Sequence, residues 1–264
     1  MTLPDLIDRQ AGHRDRIAAA FGRAEHYDTA TPVQHAVALA LAKRIGCVLP
    51  LATPRVLELG CGTGYLTASL AAALPDACWT ISDLAPEMVA RTQARLGLAA
   101  DYRVVDGENI DGGLGSFDLI ASSMAFQWFD DLPRSVERLA ARLNPGGCLA
   151  FSTMAAGSFP EWRGALAAEG LACGTPDYPD ASGFGALCPQ AIQGSIEIVD
   201  YFQQIGSARS FLGALRTAGA RTPASNYAHL SPVALRRAME RLDQGPGRVT
   251  YRIAFCLFRN PIHQ

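Results

Sequence analysis

A glycine-rich turn, set between a short apolar run and a helix-like run, constrains this chain more than any other feature. It reads Val56-Leu57-Glu58-Leu59-Gly60-Cys61-Gly62-Thr63-Gly64-Tyr65-Leu66. A short apolar run that ends in glycine is the pattern of a buried strand entering a tight turn. Glycine accepts positive φ and lets backbone approach a ligand closely. The helix start that follows offers unpaired N–H groups. The nearest alternative is the dinucleotide fingerprint G-x-G-x-x-G. Here the third glycine arrives one residue early, at Gly64, and Tyr65 stands where that fingerprint needs glycine. Glu58 also points elsewhere. A carboxylate beside the turn repels a pyrophosphate and suits a ligand carrying a cationic amine. The plainest alternative is a purely structural strand-to-helix turn. Asp83, at the end of the next strand-like run Cys78-Trp79-Thr80-Ile81-Ser82-Asp83, weighs against it.

The turn opens an alternating pattern. Strands are predicted at 56–60, 78–83, 101–105, 117–122 and 148–153, and helices at 64–74, 86–96 and 132–143. Asn144-Pro145-Gly146-Gly147 reads as the turn that stops the last of these helices. Continuous apolar strands alternating with helices predict a parallel sheet covered on both faces. Before this core, residues 5–22 read as a helix, and Thr31-Pro32 starts another that runs to about Ile45. After Met154 the rhythm changes. A helix reaches about Glu169, and residues 172–190 are loop-rich with Pro176, Pro179 and Pro189. A strand at 195–202, a helix at 207–218, a loop at 221–229, a helix at 231–242 and a final strand at 249–258 complete the chain. The expected fold is therefore α/β: a Rossmann-like, seven-stranded, mostly parallel sheet with helices on both faces. It carries an N-terminal helical segment and a helical cap inserted around strands 5–7. We expect one domain over 1–264, with a lid segment at 1–49, a ligand-binding core at 50–155, cap insertions at 156–248 and the last strand at 249–260.

Composition narrows the function classes. Net charge is −2 over 264 residues, so no bulk attraction to nucleic acid or to a membrane is implied. Seven cysteines occur without a C-x-x-C pair, which fits reduced, mostly buried thiols and no metal site. No run reaches the ~18 apolar residues of a membrane span. The N-terminus lacks a basic region followed by an apolar core. A soluble, cytoplasmic protein is the expectation.

The hydrophobic-E-x-G-x-G-x-G pattern, with Asp83 and Asp106 at the following strand ends, resembles class I S-adenosylmethionine (SAM)-dependent methyltransferases over roughly residues 50–155. The resemblance implies SAM as the cofactor. It implies that Glu58 and Gly60 hold the methionine amine region, Asp83 the ribose, and Asp106 with Gly107 and Glu108 the adenine. Cys61, Gly62, Leu84, Met88 and Ser122 complete the expected cofactor contacts. Cys61 occupies a packing place in that pattern and is not read as a nucleophile.

Further motifs narrow the resemblance. They are Ala20-Phe21-Gly22-Arg23-Ala24 with Tyr27, Ser122-Ser123-Met124-Ala125-Phe126-Gln127-Trp128, Phe151-Ser152-Thr153-Met154 with Gly157-Ser158-Phe159-Pro160-Glu161, Leu215-Arg216 with Gly219-Ala220, and Val249-Thr250-Tyr251. Together they resemble the malonyl-acyl-carrier-protein O-methyltransferases of biotin synthesis over nearly the whole chain. This implies methyl transfer to the free carboxylate of a malonyl thioester, with a malonyl-loaded acyl-carrier protein as substrate and partner. Tyr27 and Trp128 are the expected wall beside sulfonium and substrate, and Arg216 the expected partner of the malonyl carboxylate. The family commonly has asparagine at the place of Ser123 and lysine at that of Arg216. Arg209, Arg216, Arg221, Arg236, Arg237 and Arg241 are candidates for a docking patch toward an acidic carrier, against the plain reading of an exposed helix face. Two other readings stay open. One is a SAM-dependent methyltransferase of a different small acceptor, such as an aconitate-like acid, a quinone or a phenol. The other is a methyltransferase-like adaptor that has lost catalysis.

Overall fold

The computed structural model describes residues 18–19, 32–48, 53–110, 112–217 and 230–262. The predicted helix at 5–22, apart from residues 18–19, the motif that ends at Tyr27, and the loop at 221–229 lie outside the described residues.

Seven strands form one sheet. In chain order the elements are α1 (Pro32–Gly46), β1 (Arg55–Leu59), α2 (Tyr65–Ala73), β2 (Cys78–Asp83), α3 (Pro86–Leu96), β3 (Asp101–Val104), β4 (Phe117–Ser123), α4 (Leu132–Ala140) and β5 (Leu143–Met154). The second part adds α5 (Pro160–Ala167), α6 (Ala181–Ala186), β6 (Gln193–Gln204), α7 (Ala208–Thr217), α8 (Pro232–Asp243) and β7 (Arg248–Arg259). The strand order is β3-β2-β1-β4-β5-β7-β6. The first five strands are parallel, and β7 runs antiparallel to both neighbours. The seven-stranded, mostly parallel sheet is thus the expected one.

Both faces are buried, and β1 shows why its sequence is an unbroken apolar run. Val56 and Leu57 are each fully buried but belong to opposite faces. On one face Val56 and Ile81 pack with Val37, Leu41 and Ile45 of α1 and Leu66 and Leu70 of α2. Trp162, Phe211 and Leu242 extend this layer from α5, α7 and α8. On the other face Leu57, Ile120 and Phe151 pack with Val136 and Leu139 of α4 and Phe184 of α6. Fully burying a large apolar side chain contributes about 1.5–3 kcal/mol, so this double layer dominates the packing of the sheet.

The antiparallel pair β6–β7, joined through α7 and α8, completes the sheet. Met154 pairs with Ile253 and Gln204 with Arg248. The end of β5, the end of β6 and the start of β7 therefore share the edge where the parallel strands finish. Helix α5 follows the end of β5, and α7 and α8 connect the end of β6 to the start of β7; all three pack on the α1–α2 face of the sheet.

Three local expectations change. Helix α4 ends at Ala140, and Leu143 already belongs to β5, paired with Phe117. Asn144-Pro145-Gly146-Gly147 is therefore a bulge inside β5 rather than a turn before it, since the next partners are Leu119 and Cys148. It persists because its polar groups are satisfied. The Asn144 amide donates to Asp118 Oδ1 at 2.8 Å, Gly146 N donates to Asn260 O at 2.9 Å, and Asn260 N donates to Gly147 O at 2.9 Å. A Cβ at Gly147 would meet Asn144 O at 2.9 Å and Phe117 O at 3.0 Å, which explains the glycine. The loop-rich stretch at 172–190 holds the short helix α6, whose Asp180 side chain accepts from Gly183 N at 2.8 Å as an N-cap. Among the described residues, no helix is long and apolar enough to cross a membrane.

Candidate active site

In open parallel sheets, ligands bind beyond the carboxyl ends of the strands, where the strand order reverses. Here that point lies between β1 and β4, and the glycine turn occupies it. Gly60, Gly62 and Gly64 all have positive φ, at 70°, 54° and 86°. Gly60 has a second reason to be glycine, because a Cβ there would meet the Ala125 Cβ at 2.6 Å. The β1 and β4 ends therefore approach as backbone against a small side chain.

The turn is clamped from β2 and α3. Cys61 N donates to Ser82 O at 2.9 Å, and Gly62 N donates to Asp83 Oδ2 at 2.9 Å. Ala85 N donates to Asp83 Oδ1 at 2.9 Å. From α3, Thr92 Oγ1 donates to Gly62 O and Arg95 Nη1 to Thr63 O, each at 2.9 Å. Thr67 on α2 donates its hydroxyl to Glu58 Oε2 at 2.6 Å. Thr67, Thr92 and Arg95 carry no motif of their own that marks them in the sequence. They lie on helix faces that become adjacent to the turn only after folding.

An open pocket lies against this turn, lined mainly by apolar side chains with a few polar groups converging on it. Of the sequence-predicted residues, Gly60, Gly62, Asp83, Leu84, Met88, Asp106, Gly107, Glu108 and Trp128 line it. Glu58 and Cys61 line a smaller adjoining cavity that shares Gly60, Gly62, Ser123 and Met124 with the main pocket. Ser122 is the exception. It is fully buried, its hydroxyl has no partner among the described residues, and Ser123 lines the pocket in its place. Alternate strand residues face opposite sides, so the one-residue difference turns Ser122 away. Tyr27 lies outside the described residues, and so does the side chain of Arg216, whose backbone sits in the last turn of α7.

Several charges in the site are already engaged. Asp106 Oδ1 accepts from Glu108 N at 3.0 Å, and its Oδ2 accepts from the Asn109 amide at 2.8 Å. The Glu108 carboxylate, expected at the ligand, accepts from Asp131 N at 2.8 Å at the start of α4. That contact holds the segment carrying Gln127 and Trp128 toward the pocket. Phe126 pins the same segment from below, stacked on Phe151 at 4.4 Å and Phe129 at 4.5 Å. Such aromatic pairs contribute about 0.5–1.5 kcal/mol beyond their buried area. Val105, Met124, Ala125 and Phe129 complete the apolar part of the wall. Met124 holds a positive φ of 56° at the end of β4, a backbone strain of the kind found where a site overrides local preference.

Burial sets the electrostatics. It raises the Glu58 carboxyl to about 7, against the Thr67 hydroxyl, which favours the ionised form. Burial also raises Asp83, opposed by the amides of Ala85 and Gly62. The Cys61 thiol is pushed up by burial and then by Asp83 and Glu58. It stays protonated at neutral pH and is no nucleophile. A buried carboxyl poised near neutrality, with a second carboxylate raising it further, favours a cationic ligand. Two carboxylates with spare acceptor capacity, an apolar wall and approachable glycine backbone fit SAM, which carries an ammonium, ribose hydroxyls and an adenine.

Sheet order, glycine turn and strand-end carboxylates define a class I SAM-dependent methyltransferase. A profile described as "Methyltransferase domain" matches residues 56–147. The fold is shared with the YcgJ protein of Bacillus subtilis, at a TM-score of 0.58 and 17% identity over 84% of this chain and 98% of that one. It is also shared with the plantazolicin methyltransferase BpumL, solved with SAH, at a TM-score of 0.57 and 15% identity over 97% of this chain and 98% of that one. A malonyl-[acyl-carrier protein] O-methyltransferase from Magnetococcus marinus is 36% identical over 98% of this chain and 100% of its own length. The biotin biosynthesis bifunctional protein BioCD of Bordetella avium is 40% identical over 98% of this chain, which spans 54% of that longer protein. The chain belongs to the malonyl-[acyl-carrier protein] O-methyltransferase family.

Proposed function

We propose that this protein transfers the SAM methyl group to the free carboxylate of a malonyl thioester on acyl-carrier protein, making the methyl ester used in biotin synthesis. The observation that carries the proposal is the pocket formed by the glycine turn, Asp83 and Asp106, in a chain matched end to end by the Magnetococcus marinus enzyme.

SAM, when bound, supplies a methyl group on a positively charged sulfur. The protein's part is binding, orientation and exclusion of water. A malonyl carboxylate is ionised at pH 7, so methyl transfer to it calls for no general base. Holding the two reactants in line contributes about 7–11 kcal/mol toward the barrier. In this reading Glu58 and the Gly60 backbone hold the ammonium region, Asp83 the ribose, and Asp106 the adenine. Trp128 walls the reacting centre with Tyr27, and Arg216 takes the malonyl carboxylate. The apolar wall of Met124, Ala125 and Phe129 keeps water from the sulfonium.

The partner reading rests on charge. Arg209, Arg236 and Arg237 are exposed on α7 and α8. Arg241 is already paired with Glu169. An acidic carrier protein suits the first three. Its binding weakens as salt is raised, and salt-independent binding would remove this surface from consideration.

The reaction is tested with purified protein, SAM and three acceptors: malonyl-acyl-carrier protein, malonyl-CoA and acetyl-acyl-carrier protein. Mass spectrometry of the prosthetic arm reports the product. A methyl ester on the malonyl carrier and none on the acetyl carrier, which lacks a free carboxylate, is the expected result. Binding of SAM without methylation of either malonyl thioester would overturn it.

A further inference from the structure

We propose that Gln34, on α1, binds the amino-acid end of the cofactor and forms with Glu58 the part of the site that reads it. The inference rests on the SAM reading above and assigns a residue that none of the strand-end motifs contains.

The first observation is an unpartnered polar atom. The Gln34 side-chain oxygen is buried and has no hydrogen-bond partner among the described residues. Leaving a buried acceptor unmade is costly, so such an atom calls for an explanation. The second observation is its place. Gln34 lines the cavity that also holds Glu58, Cys61 and Tyr65. This cavity continues the main pocket past the glycine turn, through the shared residues Gly60, Gly62, Ser123 and Met124. The third observation is rigidity. Val33 and Val37, on either side of Gln34 along α1, are buried in the core, and His35 stacks on Tyr65 with ring centroids 4.7 Å apart. Gln34 is therefore presented from a packed helix.

The chemistry of the cavity names the ligand group. Glu58 and the Gln34 oxygen are both acceptors, and Thr67 supplies a hydroxyl donor only to Glu58. An ammonium carries three donors and satisfies both. If the Gln34 amide is turned over, its NH2 group faces the cavity instead and meets a carboxylate. The amino-acid end of SAM carries both groups, so either orientation finds its partner there. The main pocket beyond Asp83 and Asp106 is left for the nucleoside.

The test compares two ligands that differ only at this end. S-adenosylhomocysteine has the amino-acid tail, and 5′-methylthioadenosine lacks it. Binding of each is measured by calorimetry for the native protein, Gln34→Ala and Gln34→Leu. The leucine variant fills the space without polar atoms, and its thermal melting is compared with the native protein, so a folding defect in the alanine variant does not decide the result. The expected result is a roughly 10- to 100-fold loss of S-adenosylhomocysteine affinity with 5′-methylthioadenosine affinity unchanged. Equal losses for both ligands, or no loss for S-adenosylhomocysteine, would overturn the assignment. A native protein that binds neither ligand would instead sink the cofactor reading on which the assignment stands.

Discussion

Gly62 N donates to Asp83 Oδ2 at 2.9 Å, joining the glycine turn after β1 to the carboxylate that ends β2. The other oxygen of Asp83 accepts from Ala85 N. One side chain therefore fixes the turn and the entrance to α3 together, and still has lone pairs for a ligand. Asp83→Asn keeps the shape but turns an amide NH2 toward a backbone N–H. We expect a stability loss of about 1–3 kcal/mol and S-adenosylhomocysteine binding weakened by at least ~10-fold. Chemical denaturation and calorimetry measure the two effects. Unchanged affinity would confine Asp83 to bracing the turn.

Gly60 is held by two independent constraints: a φ of 70°, and the 2.6 Å distance at which any Cβ it carried would meet Ala125. Gly60→Ala should destabilise the protein by about 1–3 kcal/mol and abolish measurable cofactor binding. Adding Ala125→Gly removes the collision and leaves the dihedral strain. The double variant should therefore recover part of the stability, and only part. Full recovery would show that sterics alone select glycine here.

Glu58 gives the ligand-free protein a pH dependence. Its folded-state carboxyl is raised from 4.5 to about 7, so between these values the folded state holds a proton that the unfolded state has lost. Stability is then fully present below pH 4.5 and declines as pH rises through 7, by up to about 3 kcal/mol. Asp83, also raised, adds the same sign. Glu58→Gln should flatten the decline in denaturation measured from pH 5 to 8. An ammonium ligand reverses the preference by favouring the ionised carboxylate. S-adenosylhomocysteine affinity should therefore rise with pH over the same window, with proton release visible as buffer-dependent binding heat. Affinity flat from pH 5.5 to 7.5 would remove Glu58 from the ammonium.

Glu161 illustrates a family-like motif residue with a structural task. Its two carboxylate oxygens accept from Thr250 N at 3.0 Å and Thr250 Oγ1 at 2.6 Å, tying α5 to the start of β7. Glu161→Ala leaves the largely buried Thr250 groups unpaired and should cost about 1–3 kcal/mol. S-adenosylhomocysteine affinity should stay at the native value at temperatures where the variant is folded. A selective loss of ligand binding would move Glu161 into the site.

Arg216 carries the substrate side of the proposal. Arg216→Ala should raise KM for malonyl-acyl-carrier protein by roughly 10-fold or more, as loss of a charged hydrogen bond does, and leave S-adenosylhomocysteine affinity alone. Steady-state kinetics and calorimetry separate these. An unchanged KM excludes the arginine from the malonyl carboxylate, and Tyr27→Phe with full activity would likewise reduce Tyr27 to packing.

Local information settled the parallel core. The apolar runs at 56–60, 78–83 and 117–122, the glycines after the first, and the acidic residues at 83 and 106 all state their roles within a few neighbours, because strand burial, turn conformation and strand ends are local properties. Tertiary structure decided the rest. It put β7 between β5 and β6, although the burial contrast was latent in the sequence: β7 reads as a nearly continuous apolar run, whereas β6 alternates as a half-exposed edge does. It drew Asn144-Pro145-Gly146-Gly147 into a strand, because Asp118 and Asn260 supply hydrogen bonds from distant parts of the chain. It chose Ser123 over Ser122, because a strand buried on both faces shows no polar alternation to reveal its parity. And it brought Gln34, from a helix ahead of the first strand, to the cavity that holds Glu58. No spacing rule joins those two residues; only the packing of α1 against the sheet does.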